Sequence, residues 1–382
     1  MRIAVLHSNA NYLTGLRLPL MQSFHDLGYA VTAMAPNMSP GHAEKLSRHG
    51  IGSLRYPINP TGLNPVVDIL NVIKLALILR RAKVDIVLTN TAKPVVFGTF
   101  SSVLAGVPKR YALVSGLGYA FTDSEDADFS IKKAVIRWSM SWLYRVAFKF
   151  NSAVIFQNKD DVEELVSLKI CAKERAFCVA GSGVDVDDFK YMERGPQKPS
   201  FVMVSRLIKE KGVRDYLEAA RIVKRKVPES RFIIVGDVDS NPSALTRDEL
   251  VRYVNEGTVD WPGNVENVKE WLACANVFVL PSYYREGVPR SILEAMSTGM
   301  AIITTDMPGC RDAVKHGKNG LLVPVRNPKA LAEAMIMLAE DFSKVKKMGV
   351  VSRRMAVDKF DVNKVNMDMC EYMSLSSQRG QQ

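Results

Sequence analysis

The sequence predicts an α/β protein built from two doubly wound parallel sheets. Three observations carry the prediction. Short β-branched runs alternate with helix-period segments through the first half of the chain, and the alternation restarts after a stretch rich in Pro and Gly. At 382 residues the chain is also too long for one compact domain of ordinary size.

In the first series the strands are Ile3–Leu6, Ala30–Ala35, Asp85–Thr89, Arg110–Val114 and Ala153–Phe156, with helices near 16–27, 66–82, 94–105 and 131–150. Strands that read as continuous apolar runs, each followed by a helix, belong to a parallel sheet covered on both faces. The polar segment Arg194–Ser200 reads as a linker. Beyond it the strands are Phe201–Val204, Phe232–Val235, Val277–Leu280 and Ala301–Thr304. Helices follow near 213–226, 244–256, 266–275 and 288–299, and the stretch from about 343 to 376 is purely helical. The expected domains are 1–190 and 191–360, with the helix of 361–382 crossing back to the first domain.

Five scattered cysteines with no C-x-x-C pair form neither a disulfide framework nor a zinc site, so a reducing compartment is expected. Met1-Arg2 leads directly into Ile3–Leu6, which is too short for the apolar core of a secretion signal. The longest apolar stretch, Val66–Leu79, is interrupted by Asp68, Asn71 and Lys74 and falls short of the roughly 20 residues of a membrane span. The expectation is a cytoplasmic protein. Net charge is +11 and concentrated early: residues 1–152 hold 17 Lys and Arg against 8 Asp and Glu, while the remainder holds 34 against 32. A basic first half suits a diphosphate or anionic lipid, and no nucleic-acid-binding motif accompanies it.

Paired sheets of this kind also occur in dehydrogenases, but the first strand is followed by His7-Ser-Asn-Ala-Asn-Tyr-Leu-Thr-Gly15, without G-x-G-x-x-G. Ala33-Met-Ala-Pro36 likewise stands where a ribose-reading acid belongs. The strongest motif is Leu280-Pro-Ser-Tyr-Tyr-Arg-Glu-Gly-Val-Pro-Arg-Ser-Ile-Leu-Glu-Ala-Met296, read as strand, tight loop and helix. Gly287 admits close backbone approach, Pro289 suits a first helical turn, and the N–H groups of Val288, Arg290 and Ser291 are set to meet an anion. Glu286 and Glu294 flank that point, and carboxylates beside a diphosphate make sense when they accept hydrogen bonds from ligand hydroxyls.

A second loop, Val204-Ser-Arg-Leu-Ile-Lys-Glu-Lys-Gly212, offers Arg206 and Lys211 to phosphate oxygens, with Lys209 expected to face solvent. In a third, Gly263-Asn-Val-Glu-Asn-Val268, the turn at Val265 presents backbone groups suited to a nucleobase edge. Asp185-Val-Asp187 and Asp237-Val-Asp239 match D-x-D, a metal-holding pattern elsewhere, but lie outside these loops; no metal and no cofactor is expected. Ile131–Phe150 contains five basic residues and no acid. Lys133, Arg137, Arg145 and Lys149 share one i, i+4 stripe, a packed helix face that also suits an anionic membrane surface.

Together these motifs resemble the family 4 retaining glycosyltransferases of GT-B fold, in which two Rossmann-like domains face one another across a cleft. The resemblance covers nearly the whole chain. It is centred on the E-x7-E element from Glu286 to Glu294, with Ser205-Arg206 and Lys211-Gly212 matching the diphosphate-binding pair and Gly181–Phe189 the interdomain passage. It implies that Glu286 binds the transferred sugar, Glu294 the ribose, and Arg206 with Lys211 the diphosphate. Gly15 would then bring backbone N–H groups near phosphate, and Gly287, Val288, Pro289 and Arg290 would border the donor. Catalysis would rest on electrostatics and positioning, without metal.

Tyr111–Thr122 and Val235–Ser243 are similar to bacterial transferases that extend undecaprenyl-diphosphate-linked sugars. The loop Gly116, Leu117, Gly118, Tyr119 holds no histidine where many family members have one, so its backbone is expected to meet the donor sugar or the acceptor. The resemblance implies transfer of a hexose or N-acetylhexosamine from UDP-GalNAc, UDP-Gal or UDP-GlcNAc to a polyprenyl-diphosphate-linked sugar, by a peripheral enzyme on the inner face of the plasma membrane. The alternatives are a GT-B-type sugar-nucleotide epimerase and a transferase with a soluble acceptor.

Overall fold

The computed structural model describes residues 1–58, 64–122, 131–195, 198–238 and 244–378. The chain divides into two compact units, Met1–Ser182 with Asn363–Gln382, and Gly183–Val362.

Unit 1 holds strands β1 (Arg2–Leu6), β2 (Ala30–Ala35), β3 (Gly52–Arg55), β4 (Ile86–Asn90), β5 (Lys109–Val114), β6 (Ala153–Phe156) and β7 (Ala176–Cys178). Its helices are α1 (Ala10–Leu13), α2 (Leu18–Asp26), α3 (Pro40–Ser47), α4 (Pro65–Arg81), α5 (Thr99–Leu104), α6 (Ile131–Phe148) and α7 (Lys159–Ser167). The sheet runs β3-β2-β1-β4-β5-β6-β7, parallel throughout. Strand order reverses between β1 and β4, the switch point at which such sheets hold ligands. The helix expected over 94–105 begins as one π turn, Pro94–Gly98, before α5.

Unit 2 holds β8 (Ser200–Val204), β9 (Arg231–Val235), β10 (Asp260–Gly263), β11 (Val277–Leu280), β12 (Ala301–Thr305) and β13 (Gly320–Val323). Its helices are α8 (Val213–Lys226), α9 (Arg247–Asn255), α10 (Val268–Ala273), α11 (Arg290–Ser297), α12 (Cys310–Ala313), α13 (Pro328–Glu340) and α14 (Phe342–Lys359). The order β10-β9-β8-β11-β12-β13 is again parallel and reverses between β8 and β11.

The last helix, α15 (Val362–Tyr372), starts where the chain re-enters unit 1. The helical stretch expected over 343–376 is therefore interrupted: Asp361 forms a bridge with Val184, the two segments lying side by side. Gly183 makes their approach possible, since a Cβ there would lie 2.6 Å from Val362 Cα. The passage thus falls at Ser182–Gly183, ahead of the boundary expected at 190. Val365, Met369, Cys370 and Met373 join Ile3, Val5, Phe24 and Leu88 in one buried cluster, so the end of the chain completes the core of unit 1.

Candidate functional site

The loops after β8, β11 and β12 in unit 2 interlock through their backbones. Gly212, with φ +73°, ends the turn after β8, and a Cβ there would fall 2.1 Å from Pro281 O. Gly309, with φ +79°, stands after β12, and its Cβ would fall 2.2 Å from Gly287 O. Only glycine fits two such contacts. Tyr283 N–H donates to Glu210 O at 2.9 Å, tying the β11 loop to the β8 turn, and Thr305 Oγ1 donates to Ser282 O. Gly309 and Thr305 went unread in the sequence, where the cue was the turn signal Pro308-Gly309, and Ser282 was given no role within the Leu280–Met296 motif.

These loops bring Lys211 Nζ into contact with Glu286 Oε1, which also accepts from Ser282 Oγ at 3.2 Å. Both charged side chains are largely buried, 11% and 20% exposed, so each offsets the desolvation of the other. Lys209 and Arg206 are exposed and Lys211 is buried. Pro289 caps α11 rather than entering its first turn. The N–H groups of Val288, Arg290 and Ser291 donate to no acceptor among the described residues. They leave a helix start with positive partial charge, a site suited to a phosphate oxygen.

One turn further on, Arg290 Nε donates to Glu294 Oε1 at 2.7 Å. Burial raises the pKa of Glu294, the Arg290 cation and hydrogen bond pull it back, and Asp188 adds a small upward push. Val265 lies half-buried in the turn after the edge strand β10. Of the D-x-D pairs, Asp185 Oδ1 accepts the N–H groups of Asp187 and Asp188, shaping its own turn, and Asp237 Oδ1 accepts from Val238 N–H. Asp239 lies outside the described residues.

Gly15 and the loop Gly116–Tyr119 belong to unit 1. Gly15 sits exposed between α1 and α2, and Gly116 and Gly118 adopt φ of +117° and +70°. Leu117 is buried in the core, leaving the glycine backbone to border any ligand.

Beside that loop, at the unit 1 switch point, lies a polar cluster that the sequence did not single out. His7, just past β1, is buried and stacks on Tyr12 with ring centroids 5.0 Å apart. Burial, reinforced by the Arg17 cation, pushes its pKa down to about 3, so the ring is neutral. Past β4, Asn90 is buried and Thr91 adopts φ +73°, strained for a β-branched residue. Arg17 donates to Ser115 Oγ at 3.3 Å, and Ser115 Oγ donates to Asn90 Oδ1 at 2.6 Å. Asn90 Nδ2 and Thr91 Oγ1 are buried without a hydrogen-bond partner among the described residues. Backbone strain and unmet hydrogen bonds at a switch point mark a place chemically suited to a ligand.

Comparison with known proteins gives consistent matches in both halves. Residues 198–341 match the family described as "Glycosyl transferases group 1", and residues 2–158 the one described as "Glycosyl transferase 4-like". The chain is 31% identical over 355 residues to the N,N'-diacetylbacillosaminyl-diphospho-undecaprenol alpha-1,3-N-acetylgalactosaminyltransferase of Campylobacter jejuni, covering 89% of this chain and 90% of that one. It is 29% identical to the UDP-Gal:alpha-D-GlcNAc-diphosphoundecaprenol alpha-1,3-galactosyltransferase of Escherichia coli, covering 72% of each. Among solved structures, Anabaena Alr3699/HepE in complex with UDP and glucose superposes with a TM-score of 0.75 at 19% identity, covering 98% of this chain and 99% of that one.

Proposed function

Since the chain belongs to the family 4 glycosyltransferases of group 1, with the two parallel sheets of the GT-B fold, we propose a donor, an acceptor and a stereochemical course for it. The reaction moves a hexose or N-acetylhexosamine from a UDP-sugar, with retention, onto a sugar carried by a polyprenyl diphosphate. The observation that carries this reading is the Lys211–Glu286 contact beside the open N–H groups of α11. A diphosphate needs cations and helix-start donors, while a sugar needs a carboxylate to accept its hydroxyls. The two relatives named above, whose own acceptors are undecaprenyl-diphosphate-linked, support the choice of acceptor.

In this reading Arg206 and Lys211 receive the negative charge of the leaving diphosphate, and Glu286 orients the transferred sugar. Glu294 accepts from the ribose hydroxyls, and the turn at Val265 borders the base. No covalent chemistry is asked of the protein. It holds the anomeric carbon and the acceptor hydroxyl together while stabilising the departing charge. Asn90 Nδ2 and Thr91 Oγ1, with Arg17 and Ser115, bind the polar end of the acceptor in unit 1. The enzyme works peripherally, at the inner face of the membrane that carries the acceptor lipid.

Release of UDP from a panel of UDP-sugars, with and without a short-chain polyprenyl-diphosphate-sugar, tests the proposal. One UDP-sugar is expected to give UDP in step with glycosylated lipid, and the anomeric coupling of the product to match that of the donor. Conversion of the UDP-sugar to an epimer without acceptor would replace this reading with the epimerase.

A further inference from the structure

Helices α4 and α6 carry matching rows of exposed apolar side chains. On α4, Val66, Leu70, Ile73 and Leu77 fall at i, i+4, i+7 and i+11 and are 47–64% exposed. On α6, Ile131, Val135, Trp138 and Trp142 repeat that spacing and are 53–82% exposed. Each helix therefore has two apolar sides. Val72, Leu75 and Leu79 of α4, and Tyr144, Ala147 and Phe148 of α6, are the sides buried on the sheet. The steps β3 to β4, β4 to β5 and β5 to β6 all run the same way along the sheet, so right-handed crossovers put α4, α5 and α6 on one face. The π turn Pro94–Gly98 touches both α4 and α6, and Leu104 of α5, between them, is exposed as well.

Among the described residues of α4, α5 and α6, the exposed charges are all basic. Lys74, Arg80 and Arg81 of α4 are exposed. The only acid in α4, Asp68, is buried, with both oxygens 3.0 Å from Lys93 Nζ. Helices α5 and α6 contain no acid. The basic stripe read from the sequence is mostly engaged within unit 1. Lys133 Nζ donates to Thr122 O, Arg137 pairs with Glu164 at 3.1 Å, and Arg145 donates to Leu168 O and Lys169 O at 2.9 and 3.1 Å. Lys149 is exposed. What α6 presents outward is therefore chiefly its apolar row.

We propose that this face rests on a lipid bilayer, with the two rows sunk into the boundary between headgroups and acyl chains and the exposed cations of α4 at the headgroups. Tryptophans prefer that boundary, and exposed cations complement anionic lipid. A second copy of the chain is the poorer occupant, since it would set two cationic faces against each other. Position agrees with the choice. Helices that follow parallel strands begin at the C-terminal edge of the sheet, so α4 and α6 start at the edge that bears His7, Asn90 and Ser115. The Asp68–Lys93 pair ties the first turn of α4 to the segment just past Thr91. A diphosphate anchored at the bilayer surface would meet the polar cluster there. That delivery rests on the lipid-linked acceptor proposed above; the docking itself does not.

The full chain is mixed with vesicles of phosphatidylcholine, with and without phosphatidylglycerol, and with phosphatidylcholine brominated in its acyl chains. Brominated chains are expected to quench tryptophan fluorescence. The quenching is expected to vanish in Trp138→Phe/Trp142→Phe while vesicle binding persists. Ile73→Ser/Leu77→Ser is expected to lower the bound fraction by about tenfold, because it removes buried hydrocarbon from one row. Transfer to a short-chain, water-soluble diphosphate acceptor stays unchanged in both variants, and its absence in the parent protein would count against the acceptor alone. Absence of quenching would overturn the docking proposal. So would binding that salt abolishes and Ile73→Ser/Leu77→Ser leaves intact, or a dimer in sedimentation that this variant dissociates.

Discussion

Lys211 and Glu286, 75 residues apart in sequence, form an ion pair where the loops after β8 and β11 meet. One group was expected at the diphosphate and the other at the sugar, yet each holds the other. The arrangement presets both charges. A donor that seats its diphosphate at Lys211 and its hydroxyls at Glu286 finds the geometry already fixed, which reduces reorganisation during transfer.

Removing either member should therefore be costly twice. Lys211→Ala and Glu286→Ala are each expected to lower kcat/KM by roughly 10- to 100-fold, the equivalent of about 1.5–3 kcal/mol for a hydrogen bond to a charged group. Each also leaves a largely buried charge without its partner, so both should melt below the parent protein. The double variant should melt above the less stable single variant. Steady-state UDP release and thermal unfolding measure the two effects, and single variants with parental turnover would remove the pair from the site.

Glu294 gives a pH signature. A carboxyl whose pKa rises on folding binds its proton more tightly in the folded chain. Its contribution to stability is complete below the ordinary value of 4.5 and is lost as pH rises through the raised one. Glu294→Gln abolishes that loss, so its melting temperature relative to the parent should climb as pH is raised from acid to neutral. The same variant should bind UDP-sugar more weakly, having exchanged an ionised acceptor for an amide. A stability difference constant across this range would mean that Glu294 titrates as it does in the unfolded chain.

Gly309→Ala tests whether the loop after β12 supports Glu286 through its backbone. Besides φ +79°, the new Cβ would sit 2.2 Å from Gly287 O and 2.7 Å from Glu286 O. Gly317, with φ +75° and nothing within 4 Å of its Cβ position, provides the control. Gly317→Ala should cost only backbone strain, about 1 kcal/mol. Gly309→Ala should lose more stability and most transfer activity. Equal effects on unfolding temperature and turnover would separate that loop from the site.

The leaving diphosphate is assigned to Arg206, Lys211 and the α11 start, so transfer should continue in excess EDTA. Loss of UDP release on chelation, restored by Mg²⁺ or Mn²⁺, would return one of the Asp pairs to consideration.

The central strands were legible because they are buried on both faces, as in Ile86–Asn90 and Ala301–Thr305. The edge strands were harder. β3 reads Gly-Ser-Leu-Arg and is mostly exposed, and β7 has three half-buried residues, so neither leaves an apolar run. Glu286, Glu294 and Lys211 stood out as candidates because one loop-and-helix segment and one turn carry them within a few residues. Asn90 and Thr91 did not: nothing in Thr-Asn-Thr announces a left-handed threonine or an amide nitrogen with no acceptor among the described residues. On α6 the i, i+4 basic spacing was visible, but which side met solvent depended on Thr122, Glu164 and the carbonyls of Leu168 and Lys169, all remote in sequence.

The return of α15 to unit 1 has a consequence for how the chain is made. During synthesis unit 2 is complete before Val365, Met369, Cys370 and Met373 leave the ribosome, although unit 1 began first. The earlier sheet must wait, with the apolar patch around Phe24 and Leu88 uncovered, until Val365, Met369, Cys370 and Met373 emerge. A nascent chain stalled before residue 363 should therefore hold a protease-resistant second half and a first half open to chaperones. Emergence of residues 363–378, rather than the synthesis of residues 1–182, would mark the moment at which unit 1 becomes native.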